Sequence, residues 1–398
     1  MTGTSMVAHG HWTRALLYLL ERARIGSIEI MLPGGSRHSF EGSEPGPKAE
    51  LELRDESVAR RLLVGGDVAF AEAYMAGDWE SPNPAAVVEY AARNADAIDK
   101  HLQETLWGGL LRRALHIVRT NTRFGSRRNI SYHYDLGNEF YRLWLDPTMT
   151  YSSALFERED ASLEDAQRAK YRRLAGLLGL QSGQSVLEIG CGWGGFAVTA
   201  AGERDCRVTG LTLSERQREF ALKRAADAGL ADRIDIRLED YRDTKGLFDR
   251  IASIEMFEAV GERYWPVFFD SVRERLTQGG IAAMQIITIA EERFEAYRSR
   301  PDFIQRYIFP GGMLPTMTHL KTLAAGARMD WVGDHGFGQD YAKTLQLWRQ
   351  RFVEAWPEIA KLGFDERFKR MWQYYLAYCE GGFRAGSIDV RQIVIQRS

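Results

Sequence analysis

The chain has 398 residues, of which 45% are hydrophobic and 27% charged, and its net charge is −2. This is the composition of an ordinary globular protein of about two domains. No run of about 18 apolar residues is present, so no membrane-spanning helix is expected. Three cysteines, Cys191, Cys206 and Cys379, are odd in number, and the eight histidines show no H-x-x-x-H pattern. No metal site is therefore expected, and the cysteine usage fits a reducing cytoplasm.

In chain order, residues 12–24 (WTRALLYLLERAR) have a short apolar centre broken by charge and no small-residue cleavage site, which predicts an amphipathic helix rather than a signal peptide. Residues 26–53 alternate apolar and polar around Gly/Pro turns, the pattern of short antiparallel strands, and 55–95 turn helical. Residues 1–95 are thus expected to form a small α+β domain and 96–130 a helical connector. Between Glu104 and Asp135 no acidic residue occurs, whereas Arg112, Arg113, Arg119, Arg123, Arg127 and Arg128 do. Leu106, Trp107, Leu110, Leu111, Leu115 and Val118 fall on one helical stripe beside them. Such a helix fits an anionic membrane surface, and equally a linker packed on its own protein. Nucleic acid is a poorer fit to a small patch on a negative chain.

From about residue 163 the pattern becomes βαβ. SVLEIG, CRVTGLTL, IDIRLED, RIASIEMF and IAAMQIITI read as strands separated by helices such as 214–228 and 262–277, which predicts an α/β fold with a doubly wound, mostly parallel sheet over 131–398. Ligands of such sheets bind beyond the C-terminal strand ends. Val186–Ala197, VLEIGCGWGGFA, places Gly190, Gly192, Gly194 and Gly195 there. A triphosphate loop would end in Lys-Ser/Thr, and a dinucleotide loop would be spaced G-x-G-x-x-G; this one is G-x-G-x-G without basic residues. S-adenosylmethionine, which has no phosphate and needs close backbone approach to ribose and amino acid, suits it best, against a plain tight turn. Residues 300–385 are rich in aromatics, fit for a core or for an apolar pocket.

Several stretches together resemble one family, the cyclopropane-fatty-acyl-phospholipid synthases and the related mycolic acid cyclopropane synthases. They are YHYDLGNEFYRLWLDPTMTYSSALFE (132–157), VLEIGCGWGG (186–195), GLTLSERQ (210–217), SIEMFEAVG (253–261), FIQRYIFPGGMLPT (303–316), DYAKTLQLW (340–348) and GGFRAGSIDVRQI (381–393). The resemblance runs from about residue 130 to the C-terminus, and the N-terminal domain fits the longer, phospholipid-modifying branch. It implies a class I methyltransferase fold and methyl transfer from S-adenosylmethionine to the double bond of an unsaturated phospholipid acyl chain, giving a cyclopropane. It also implies cofactor contacts at Tyr151, Ser152, Glu188, Gly190, Gly192, Trp193, Gly194, Thr212, Leu213, Gln217, Asp240 and Tyr241. A homodimer, cytoplasmic and held peripherally at the inner membrane face, is the assembly and location expected.

An alkene has no proton that a base could remove to activate it, so catalysis must position the π bond and stabilise the carbocation that follows. Aromatic faces shelter a cation for roughly 0.5–2 kcal/mol each. The family resemblance implies that the last proton goes to a bicarbonate ion held by Glu258, Tyr341 and the backbone of Ile287. Glu258 stands in an otherwise apolar stretch, where a carboxylate is unusual unless partnered or solvated at a helix start. Two departures concern the same site, because Ser153 and Gln285 stand where the family has Cys and His. A neutral Gln lacks the charge-assisted hydrogen bond of a histidinium, so bicarbonate dependence is expected to be weaker and a methyl-branched or methylene chain is an alternative product. Cys379 also lies in a family motif, with packing as its simplest role. A small-molecule C-methyltransferase and a non-catalytic lipid-binding protein on the same fold are the remaining alternatives.

Overall fold

The computed structural model describes residues 10–104 and 136–398. The basic stretch, residues 105–135, and with it most of the expected connector, lies outside the described residues. The chain forms two compact units: one of residues 10–104 with Asp302–Ile304 and Gly363–Ala385, the other of 136–301 with Gln305–Leu362 and Gly386–Ser398.

In the first unit, strands β1 (Ile25–Met31), β2 (Arg37–Glu41), β3 (Glu44–Leu53) and β4 (Trp79–Glu80) form a sheet in the order β2-β1-β3-β4. The antiparallel expectation holds for β1–β2 but not for β1–β3, which pair in parallel from Ser27↔Lys48 to Met31↔Glu52. Alternation within a strand shows which face is buried but not the direction of its neighbour. Helices Ser57–Ala76 and Pro84–Glu104 follow. The expected boundaries 1–95 and 131–398 need correcting, because the second helix runs past residue 95 and helix Glu366–Arg384 belongs to this unit. A Cβ at Gly381 would sit 2.7 Å from Val88 Cβ and 2.8 Å from the Ala85 carbonyl, so a glycine lets the two helices touch backbone to backbone.

The second unit holds a seven-stranded sheet. Its strands are β5 (Ser185–Ile189), β6 (Arg207–Thr212), β7 (Ile234–Leu238), β8 (Phe248–Ile254), β9 (Leu276–Ile289), β10 (Met329–Gly336) and β11 (Ile388–Arg397), ordered β10-β11-β9-β8-β5-β6-β7. The strands β9-β8-β5-β6-β7 are mutually parallel and are the five that the sequence predicts; β11 runs antiparallel between β9 and β10. Both faces are covered. Val186 and Ala283 pack with Leu174, Phe196 and Ala225 on one side, while Leu187, Ile189, Met284 and Ile286 pack with Phe268, Phe269 and Leu320 on the other. Burial on both faces is why these strands read as near-continuous apolar runs.

Candidate active site

Everything distinctive lies beyond the C-terminal ends of the parallel strands. After β5, Gly190, Gly192 and Gly194 have φ of 82°, 52° and 79°, left-handed values at alternate residues that a Cβ would resist. A Cβ at Gly190 would come within 2.7 Å of Met256 Cγ, so this loop lies directly against the turn after β8. At Gly192 a Cβ would meet nothing within 4 Å, which leaves an open cradle over the backbone before helix Gly195–Arg204. Glu188 is buried, and burial raises its pKa well above the usual carboxylate value, with Lys170 pulling it back. Its Oε2 has no hydrogen-bond partner among the described residues. Thr212 Oγ1, at the end of β6, donates to Gln217 Oε1 at 2.8 Å and accepts from the Ser214 N–H; Leu213 beside it is 74% exposed. After β7, both Asp240 oxygens accept from Arg242, which holds the carboxyl low, and Tyr241 packs edge-on against Phe268 at 5.3 Å. A glycine cradle, a buried carboxylate with one oxygen left without a partner among the described residues, and an aromatic platform fit S-adenosylmethionine, with its ribose, amino acid and adenine.

Aromatic rings continue from this cradle. Trp193 packs on Tyr141 (5.1 Å), Tyr141 on Tyr151 (5.3 Å), Tyr151 on Trp348 (5.4 Å) and Trp348 on Tyr341 (6.1 Å). Trp193 is fixed by its indole N–H donating to Asn138 Oδ1 at 2.9 Å. Tyr151 is only partly buried within this row, whereas Trp348 is fully buried. The result is a wall of π faces running from the cofactor cradle to a buried polar cluster.

At the centre of that cluster stands Glu255, which sequence reasoning passed over. Its Oε1 accepts from the Ser153 N–H at 2.8 Å and from Gln285 Nε2 at 2.7 Å, and its Oε2 accepts from the Tyr341 hydroxyl at 2.6 Å. Burial raises its pKa, while these donors and the Lys170 charge lower it. The Gln285 amide has its orientation set from behind: Arg173 donates to Gln392 Oε1 (2.6 Å), and Gln392 Nε2 donates to Gln285 Oε1 (3.1 Å). Glu258 also faces inward, its Oε1 accepting from the Ile287 N–H at 2.5 Å while Oε2 has no partner among the described residues. Burial, and then the charge of Glu255, push Glu258 up to about 8, so it is mostly protonated at neutral pH.

Lys170 is the second group that the sequence reading missed. It is completely buried on helix Leu163–Leu177 and donates to Ser152 Oγ at 2.5 Å, while Gln167 donates to the Ser152 carbonyl at 2.8 Å. Burial pushes it down to about 7 against the pull of Glu255, Asp146 and Glu188. A signal was available: Leu163, Ala166, Gln167, Lys170 and Leu174 occupy one helical stripe, so two polar side chains sit on the apolar face.

Ser153, Gln285 and Tyr341 therefore converge on one carboxylate, and Ile287 with Glu258 lies beside it. Cys379 lies on Glu366–Arg384 in the first unit, where burial pushes its thiol up and so disfavours the nucleophilic thiolate. Among the described residues no group of His, Cys, Asp and Glu is placed to hold a metal ion.

The strand order and the glycine cradle define an α/β methyltransferase of the S-adenosylmethionine-dependent class I type. The mycolic acid cyclopropane synthetase family is matched over residues 122–393, and the chain belongs to it. It is 40% identical over 365 residues to the tuberculostearic acid methyltransferase UfaA1 of Mycobacterium tuberculosis, covering 86% of this chain and 82% of that one. It is 35% identical over 405 residues to the cyclopropane-fatty-acyl-phospholipid synthase of Escherichia coli K12, covering 98% and 95%. Among solved structures, the mycolic acid cyclopropane synthase CmaA1 complexed with SAH and CTAB superposes with a TM-score of 0.63 at 34% identity, over 67% of this chain and 97% of that one.

Proposed function

We propose that this enzyme transfers a methyl group from S-adenosylmethionine to the double bond of an unsaturated phospholipid acyl chain, with ring closure to a cyclopropane. The observation that carries the reading is the continuity of the glycine cradle, the aromatic wall and the buried carboxylate cluster, in a chain similar over nearly its whole length to a cyclopropane-fatty-acyl-phospholipid synthase. S-adenosylmethionine supplies a methyl group activated on a sulfonium. Gly190 to Gly194, Glu188, Thr212 and Gln217 would hold it, with Asp240 and Tyr241 toward the adenine. Lys170 and Gln167 fix Ser152 and thereby the Tyr151–Ser153 turn, which joins the aromatic wall to the carboxylate. The wall excludes water from the acyl cation and stabilises it through its π faces.

A second reading, a methyl-branched or methylene product, is favoured by Ser153 and Gln285 converging on Glu255, and by a similar protein being named a tuberculostearic acid methyltransferase. The proposal includes a homodimer acting at an anionic membrane surface through the basic stretch around Arg112–Arg119. No helix among the described residues is long and apolar enough to cross a membrane. The test is incubation with S-adenosylmethionine and unsaturated phospholipid vesicles, followed by mass analysis and proton NMR of the acyl chains. A mass gain with high-field ring methylene signals supports cyclopropanation. Surviving vinyl signals on a methylated chain establish the second reading, and no mass gain refutes both.

A further inference from the structure

We infer that Glu255 is a built-in replacement for the bicarbonate ion: its carboxylate occupies the anion position and itself accepts the proton that ends the reaction. This rests on the proposed acyl-chain methylation. The residues that the family resemblance assigns to the ion do not fit one here. The Ser153 N–H, the Gln285 amide and the Tyr341 hydroxyl all donate to Glu255 at 2.6–2.8 Å. Nor is Gln285 free to turn its amide toward another anion, because the Arg173–Gln392 relay fixes its oxygen on the far side. A bicarbonate beside Glu255 would thus find its donors engaged and a like charge at contact distance in a dry site, where repulsion is strong. A carboxylate and a bicarbonate share a planar CO₂ group with one negative charge, so the donor set satisfied by one suits the other.

The backbone shows what holding the side chain there costs. Glu255 has φ of 50°, one of four positive-φ residues other than glycine among the described residues, and its N–H donates to the Gln285 carbonyl at 2.8 Å. Left-handed backbone is unfavourable for a residue with a Cβ and persists where surrounding structure enforces it, commonly at functional sites. Here it turns the chain after β8 so that the carboxylate points back at the end of β9. Among the described residues two donors fall on Oε1 and one on Oε2, so Oε2 keeps a lone pair for a proton. Burial lifts the pKa of the group, which strengthens it as a base.

The step balances. The alkene π pair forms the new C–C bond as the S–CH₃ bond breaks with its pair to sulfur, leaving a carbocation on the chain. Glu255 Oε2 then takes a proton. If it leaves the transferred methyl carbon, the C–H pair closes the ring; if it leaves a neighbouring chain carbon, the pair becomes a double bond.

The experiment uses the full-length protein with S-adenosylmethionine and unsaturated phospholipid vesicles, in buffer freed of CO₂ and then with bicarbonate added. Wild type is expected to turn over without bicarbonate and to change less than about twofold on its addition. Glu255→Gly relieves the left-handed strain and opens the anion position; it is expected to lose about a hundredfold or more and to recover at least tenfold with bicarbonate. Glu255→Gln, which keeps the shape, is expected to lose the same activity without recovering it. A wild type that loses most of its activity without bicarbonate overturns the proposal. So does a folded Glu255→Gln variant that is as active as wild type. Carbon-13 bicarbonate binding, followed by NMR, is a readout independent of turnover: binding to Glu255→Gly but not to wild type supports the proposal, and binding to wild type refutes it. No methylated lipid from wild type under either condition refutes the methylation reading instead.

Discussion

Replacing Glu258 by Gln tests whether the buried glutamate beside Ile287 is held as a neutral acid. The folded group titrates at about 8, against 4.5 for an exposed glutamate, chiefly through burial. A carboxyl raised in the fold stabilises fully below the unfolded value, and that stabilisation is lost as pH rises through the folded one. Each pH unit in that window is worth about 1.4 kcal/mol, so from pH 5 to 8 the wild type should lose about 4 kcal/mol at this site. The glutamine cannot ionise and keeps an oxygen to accept from the Ile287 N–H, so the variant should lose none of it. At about 2–4 °C per kcal/mol for a unit of this size, the melting midpoints of variant and wild type should diverge by roughly 10 °C over that range, in favour of the variant at pH 8. Differential scanning calorimetry at matched scan rates measures this, with S-adenosylhomocysteine affinity as a check that the cradle is intact. Parallel pH profiles would refute the reasoning, because they would mean that Glu258 is ionised in the fold.

Lys170→Met should show the opposite sign. A lysine lowered from 10.5 to about 7 contributes stability at high pH that is lost as pH falls toward 7, so wild type should gain about 3 kcal/mol on the variant between pH 7 and 9, read as converging or crossing melting midpoints. Gly190→Ala places a Cβ within 2.7 Å of Met256 Cγ at a φ of 82°; it should cost about 1–3 kcal/mol of stability and weaken S-adenosylhomocysteine binding at least tenfold by calorimetry, and unchanged affinity would remove the loop from the cofactor site. Reversing Arg112, Arg113 and Arg119 to Glu should weaken binding to anionic vesicles, by about 1 kcal/mol for each positive charge removed; unchanged partitioning would favour the plain linker.

The parallel sheet and its glycine loop were legible because their signals are local: doubly buried strands are uninterrupted apolar runs, and three left-handed positions at alternate residues favour glycine. What escaped depends on pairings far apart in sequence. Strand β11 pairs with β9 through partners such as Ile388↔Ile289, with β10 beyond it, and the helix carrying Cys379 joins residues near Ala85 through Gly381. Neither pairing has a local signature. Lys170 was different, since its place on an apolar helical stripe was readable and its burial followed from it.

The two glutamates of SIEMFEAV show why a motif locates a site without assigning its parts. Both lie in one apolar stretch, three residues apart, and nothing in the stretch itself separates them; resemblance pointed to Glu258. The left-handed residue at 255 decides the matter. It reverses the chain so that Glu255 meets Ser153, Gln285 and Tyr341, while the short 3₁₀ turn Phe257–Ala259 leaves Glu258 with one backbone donor. Donor number then separates their chemistry. Three donors and a nearby lysine act against the desolvation that raises Glu255, whereas Glu258, with one backbone donor from Ile287 and a neighbouring negative charge, is pushed up to about 8. A buried pair whose members differ in donor number and in neighbouring charge is divided between the role of base and that of neutral acid. That division of roles comes from backbone geometry at a single residue, and a glycine in its place would remove the base while leaving the acid where it is.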